Sequence, residues 1–96
     1  MVDQSLLRSS DVPELHPMYL LRWEEGEQAF VLLYPEGIVK LNRPAAEILT
    51  RCDGCRSVSA IVDELRSAFG MDDGIESDVL AFLEISNDKG WTRLKA

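Results

Sequence analysis

The hydrophobic pattern changes period once, near residue 42, and that change limits the folds open to the chain. Before it, Tyr19, Leu21 and Trp23 alternate with Leu20, Arg22 and Glu24, the period of two expected of a strand with one buried face. Glu25-Gly26 supplies turn chemistry, and the run Gln28-Ala-Phe-Val-Leu-Leu-Tyr34 is apolar on both faces, as a central strand is. Tyr34-Pro35-Glu36-Gly37 reads as a β-turn with proline in second position, where its fixed φ fits. A short third strand follows over residues 38–41. After it the period becomes 3.6.

Asn42 caps a helix that tolerates Pro44 in its first turn, where an amide hydrogen has no intrahelical partner anyway. Ala45, Ile48, Leu49 and Cys52 form its apolar stripe, and Gly54 stops it. Ser57 caps a second helix with Val58, Ile61, Val62, Leu65 and Phe69 on one face, ended by Gly70. A polar loop over residues 71–74 leads to a third helix carrying Ile75, Val79, Leu80, Phe82, Leu83 and Ile85. That helix ends at Lys89-Gly90, and residues 91–94 form an extended tail suited to pair with a strand edge.

The expected fold is therefore α+β: a three-stranded antiparallel meander followed by three helices packed on one face. The glycine-punctuated join between the second and third helices makes it winged helix-turn-helix-like. At 96 residues the chain is one domain, here residues 18–96. Residues 1–17, broken by Pro13 and Pro17, read as a flexible N-terminal arm from which Leu6, Leu7 and Val12 can dock.

Charge removes several function classes. Ten basic against seventeen acidic residues leave −7, a poor start for a surface that must neutralise phosphates or anionic lipid. From residue 57 to residue 90 there are eight acids and only two bases, Arg66 and Lys89, so the helix pair that would read DNA is itself acidic. A DNA-binding regulator of the helix-turn-helix class is thus a runner-up. The apolar run from Ala29 to Tyr34 is far shorter than the ~20 residues of a membrane helix. The N-terminus carries Asp3 and no sustained apolar run, so it is not a signal peptide and the expected address is cytoplasmic.

Catalytic chemistry is poorly supplied. The single histidine, His16, lies between Leu15 and Pro17, a weak position for a triad member, and no phosphate-cradling glycine motif occurs. Cys52-Asp-Gly-Cys55 has the CxxC spacing of redox and zinc sites. One pair plus one histidine falls short of four zinc ligands. The pair also follows a helix C-terminus, where the dipole raises a thiol pKa rather than lowering it. A small thiol redox protein is the other runner-up. No cofactor, metal or catalytic residue is expected.

The third strand has one free side. Its four residues, with Lys40 among them, serve equally as protection against aggregation or as an address for an added peptide strand.

Several stretches together resemble the PqqD family, which serves biosynthesis of the redox cofactor pyrroloquinoline quinone. They are Leu21-Arg-Trp-Glu-Glu25, Phe30-Val-Leu-Leu-Tyr-Pro-Glu-Gly37, Val39-Lys-Leu-Asn42, Ala45-Ala-Glu-Ile-Leu49 and Cys52-Asp-Gly54. The likeness continues through Ile61-Val62 and Asp78-Val-Leu-Ala-Phe-Leu83 to Gly90-Trp91, covering about residues 18 to 94. Arg43-Pro44 stands where the family pattern calls for small polar residues, a departure at the helix entry.

The resemblance implies a non-catalytic peptide chaperone. It would bind the precursor peptide PqqA and deliver it to the radical SAM enzyme PqqE. It implies strand addition beside the third strand, through the backbone of Ile38, Val39, Lys40 and Leu41, in a groove walled by the third helix. Asp78, Val79, Phe82 and Leu83 are the expected wall, with about half of them free of the core. Asp78 or Glu76 is expected to meet a basic residue of the peptide. The free edge and the arm also make pairing or arm exchange between two copies an expectation when the peptide is absent.

Overall fold

The computed structural model describes residues 7–70 and 74–95. Its elements, in chain order, are β1 (Pro13–Leu15), β2 (Leu20–Glu24), β3 (Ala29–Tyr34), β4 (Gly37–Lys40), α1 (Arg43–Leu49), α2 (Val58–Phe69), α3 (Ile75–Asp88) and β5 (Thr92–Leu94). Strands β2, β3 and β4 form the antiparallel meander in that order, with β3 central. The register places Leu21, Leu32 and Val39 in one row across the sheet. That row faces the helices. Leu32 belongs to the main core with Leu49, Val58, Ile61, Val79 and Leu83, and Leu21 and Val39 pack against it.

Local chemistry fixes the starts of α1 and α2 and the end of α2 as the sequence suggests. Helix α1, expected to carry Cys52 and stop at Gly54, instead ends at Leu49 with Thr50 as its C-cap. Asn42 accepts the Ala45 amide hydrogen at 2.9 Å, and Ser57 Oγ accepts that of Ala60 at 3.1 Å. Such caps satisfy donors that a first helical turn leaves over, worth about 1 kcal/mol each. Gly70 closes α2 in the left-handed region at φ 62°, donating to the Arg66 carbonyl at 2.8 Å.

Two further expectations change. Trp23, expected on the buried face of its strand, is 44% exposed. It sits near the end of β2, edge-on to Phe30 at 5.4 Å, with its indole N–H donating to Glu25. An amphipathic ring can satisfy both demands at a sheet corner. Ile85 is likewise exposed because the buried line of α3 runs through Ile75, Val79, Leu83 and Ser86, more than a quarter-turn away.

The segment read as a loose arm differs more. Residues 1–6 lie outside the described residues. From Arg8 to His16, however, backbone bonds tie the chain to the body. β1 pairs antiparallel with β5, so the C-terminal tail finds its edge there and not on the meander. Leu15 donates to the Cys52 carbonyl at 3.1 Å and His16 to that of Trp91 at 2.8 Å. The carbonyls of Asp11 and Ser9 accept from Val58 and Ser59 at 2.8 and 2.9 Å, so this segment completes the N-terminus of α2.

Beside it runs an ion-pair chain on the surface. Glu64 accepts from Arg56 Nε at 2.6 Å and from Arg51 Nε at 3.1 Å. Arg51 continues to Glu47 at 2.9 Å and Arg56 to Asp53 at 2.7 Å. The network joins α1, the α1–α2 connection and α2. Among the described residues no helix is long and apolar enough to cross a membrane.

Candidate functional site

Among the described residues strand β4 lies at the edge of the meander with β3 on one side only. Which of its backbone groups face outward follows from one bond. Leu41 donates to the Phe30 carbonyl at 3.0 Å, and antiparallel pairs alternate between bonded and non-bonded partners. Lys40, opposite Val31, is then a non-bonded pair, Val39 opposite Leu32 a bonded one, and Ile38 opposite Leu33 non-bonded again. The amides and carbonyls of Ile38 and Lys40 therefore point away from the sheet. Those of Val39 and Leu41 are committed to β3. Of the four backbone positions singled out in the sequence, two are presented at the edge and two are not.

Side chains divide the same way. Leu41 is buried, and Val39 turns inward to the core, while Ile38 and Lys40 stand on the outer face. Lys40 pairs with Glu27 at 3.2 Å in an exposed ion pair.

On α3, Val79 and Leu83 are 0% exposed and belong to the core. Asp78 is exposed and Phe82 half-buried against the core. With a turn of 3.6 residues, Asp78, Phe82 and Ile85 share one flank of the helix. Glu76 is exposed on the opposite flank.

Asp78 borders an apolar cleft of about 460 Å³ with Pro44, Ile48, Leu65, Phe69 and Ile75. Arg43 and Glu47 stand at the same cleft, the Arg43 guanidinium 5.6 Å from the Phe69 ring centre. Arg43 and Pro44 follow β4 after only Leu41 and Asn42, so the Asp78 flank of α3 lies on the side where β4 ends. Sequence reasoning placed Arg43 at the helix entry and Phe69 in the core. The ring is instead partly exposed, at the end of its helix, where a cation rests on it. Neither position carried a sequence signal for this contact.

The CxxC pair offers no reactive constellation. Cys52 is buried, its thiol directed to the Ile48 carbonyl at 3.3 Å. Burial, helped by the charge of Asp53, pushes it up to about 12, the opposite of what a nucleophilic thiolate needs. Among the described residues no three Cys, His, Asp or Glu side chains are grouped to hold a metal.

A family model for coenzyme PQQ synthesis protein D (PqqD) matches residues 29–91, from the central strand to Trp91. The chain belongs to the PqqD family. It is 49% identical over 85 residues to a PqqA binding protein of Azotobacter vinelandii, a match covering 88% of this chain and 92% of that one. A PqqA binding protein of Stutzerimonas stutzeri is 40% identical over 91 residues, 95% and 99% of the two chains.

The fold agrees with a PqqD structure. The solution NMR structure of the PqqD truncation of Methylobacterium extorquens PqqCD matches with a TM-score of 0.77 at 31% identity, covering 95% and 99% of the two chains. That protein is described as a functional, stand-alone recognition element for ribosomally synthesised, post-translationally modified peptides. The heterocyclase TruD shares the fold alone, with a TM-score of 0.67 at 20% identity over 90% of this chain and 12% of the enzyme. The α+β fold of a three-stranded antiparallel sheet with three helices is thus that of a PqqD protein. The winged helix-turn-helix likeness is loose, since the chain adds a separate two-stranded β1–β5 sheet to the meander and the helices.

Proposed function

We propose that this PqqD protein is a non-catalytic carrier that binds the precursor peptide PqqA by strand addition at β4 and presents it to the radical SAM enzyme PqqE. The observation that carries the reading is the phase of the β4 ladder, which leaves the amides and carbonyls of Ile38 and Lys40 turned outward. A peptide strand laid there gains main-chain hydrogen bonds and continues the sheet. Its inward side chains fall between Val39 and the Asp78–Phe82 flank of α3, with the apolar cleft beyond. The names of its relatives as PqqA binding proteins and the description of the M. extorquens protein as a recognition element support the same ligand.

Recognition of this kind suits a carrier. A few main-chain bonds contribute roughly 0.5–1.5 kcal/mol each, enough for a defined register without the slow release of a deeply buried ligand. On this reading the chemistry falls to the enzyme that receives the peptide. The test is an amide NMR titration of labelled protein with PqqA. Saturating shifts centred on residues 38–41 and on the Asp78–Phe82 flank are expected. A folded protein that shows none overturns the reading.

A further inference from the structure

We infer that the apolar cleft between α1, α2 and α3 is the pocket by which the carrier selects its peptide, an inference that rests on the strand-addition reading above and deepens it. One bulky apolar side chain of the bound peptide fills the cleft. Main-chain bonds along β4 are open to any sequence, so selection has to come from side-chain pockets beside the edge.

The lining sets the chemistry of the occupant. Ile48, Leu65, Ile75 and Val79 make the floor, and all four belong to the main core. Pro44 and the Phe69 ring, 41% exposed, make an apolar rim. The charges stay at the mouth. Arg43, its side chain 79% exposed, pairs with Glu47 at 3.6 Å while its guanidinium lies over Phe69, and Asp78 is exposed beside them. An apolar side chain laid on this floor leaves water for the core, whereas a polar one loses water and finds no partner there. At about 460 Å³ the cleft has room for a bulky side chain and none for a folded protein.

Continuity with β4 makes the peptide the source of that side chain. Arg43 comes three residues after Lys40, a span of at most about 11 Å. A peptide strand advancing about 3.3 Å per residue covers it in three or four residues. The cleft lies on the helix side of the sheet, the side to which Val39 turns. Side chains alternate along a strand, so only a residue in phase with the one opposite Val39 can turn into it. The occupant is therefore two or four positions beyond that residue, level with Leu41 or Arg43.

The test uses the whole protein, methyl-labelled at isoleucine, leucine and valine and saturated with PqqA. Isotope-filtered NOE spectra should join the methyls of Ile48, Leu65 and Ile75 to one bulky apolar side chain of the peptide. Replacing that peptide residue by Ala should weaken binding about tenfold in the parent, but no more than about threefold in Phe69→Ala, whose rim is gone. A saturated complex in which those methyls touch no peptide side chain overturns the inference, as does an equal loss in both proteins. Contacts from a second copy of the chain, seen in a mixed-label sample, overturn it as well. Failure of the carrier reading is seen separately, as amide shifts missing from residues 38–41 when PqqA is added.

Discussion

A Cβ placed on Gly54 would stand 2.8 Å from the Glu14 carboxylate oxygen, and Gly54 itself sits at φ +77°. The two residues join the α1–α2 connection to β1, and Arg93 of β5 holds the same carboxylate at 2.8 Å. Replacing Gly54 by Ala forces a side chain into the left-handed region and displaces Glu14. A loss of about 1–3 kcal/mol is expected, read from urea unfolding against the parent.

Ladder phase makes two neighbouring proline substitutions behave differently. In Lys40→Pro the lost amide hydrogen points outward, so the fold should hold within about 1 kcal/mol while PqqA affinity falls roughly three- to tenfold. In Val39→Pro the lost hydrogen belongs to the β3 ladder, and stability itself should drop by about 3 kcal/mol. Paired thermal melts and peptide titrations distinguish them. Equal effects on affinity without loss of stability would show that the phase is wrong.

Asp78 offers the exposed carboxylate on the Phe82 flank. If it meets a basic residue of the peptide, replacing the basic residues of PqqA by Ala should weaken binding to the parent but not to Asp78→Asn. A coupling of about 0.5–1 kcal/mol is expected for an exposed pair. Equal losses for both proteins would remove Asp78 from recognition.

Two neighbours on α3 should respond in opposite ways to truncation. Leu83 is fully buried in the main core, and Leu83→Ala should cost about 2–5 kcal/mol. Ser86 is just as buried, but its hydroxyl has no hydrogen-bond partner among the described residues. Ser86→Ala removes an unsatisfied group and little volume, so it should be neutral or stabilising by up to about 1 kcal/mol. Denaturant midpoints of both variants check the contrast.

Acid stability should depend on Glu64. Its bond to Arg56, then that to Arg51, holds the carboxyl below its ordinary 4.5. A depressed carboxyl stabilises the fold above its unfolded pKa and loses that contribution as pH falls through the folded value. Melting temperature should therefore fall as pH is lowered from about 4.5, and Glu64→Gln should flatten that decline. An unchanged slope would mean that the network contributes nothing measurable, as many surface pairs do.

Much of this was legible in the residues. The period switch at Asn42, the caps at Asn42 and Ser57 and the left-handed stop at Gly70 all follow from local chemistry, and the meander order followed from turn spacing. Two things were not. The pairing of β1 with β5 joins segments almost eighty residues apart, and three-residue strands carry no alternation long enough to read. The division of labour along the 38–41 edge depends on ladder phase, which a single long-range bond between Leu41 and Phe30 fixes. Exposure of Leu20 and Ile38 was hidden for a related reason: in a short apolar strand, either face looks like the inner one.

The backbone contacts of residues 8–16 set an order for synthesis on the ribosome. The meander and α1 are complete within the first fifty residues and can pair as they emerge. β1 leaves the tunnel before any of them, yet its partner β5 follows almost eighty residues later. β1 can meet the segment after α1 as soon as Cys52 is out, but half of its pairing waits until Thr92–Leu94 have been made.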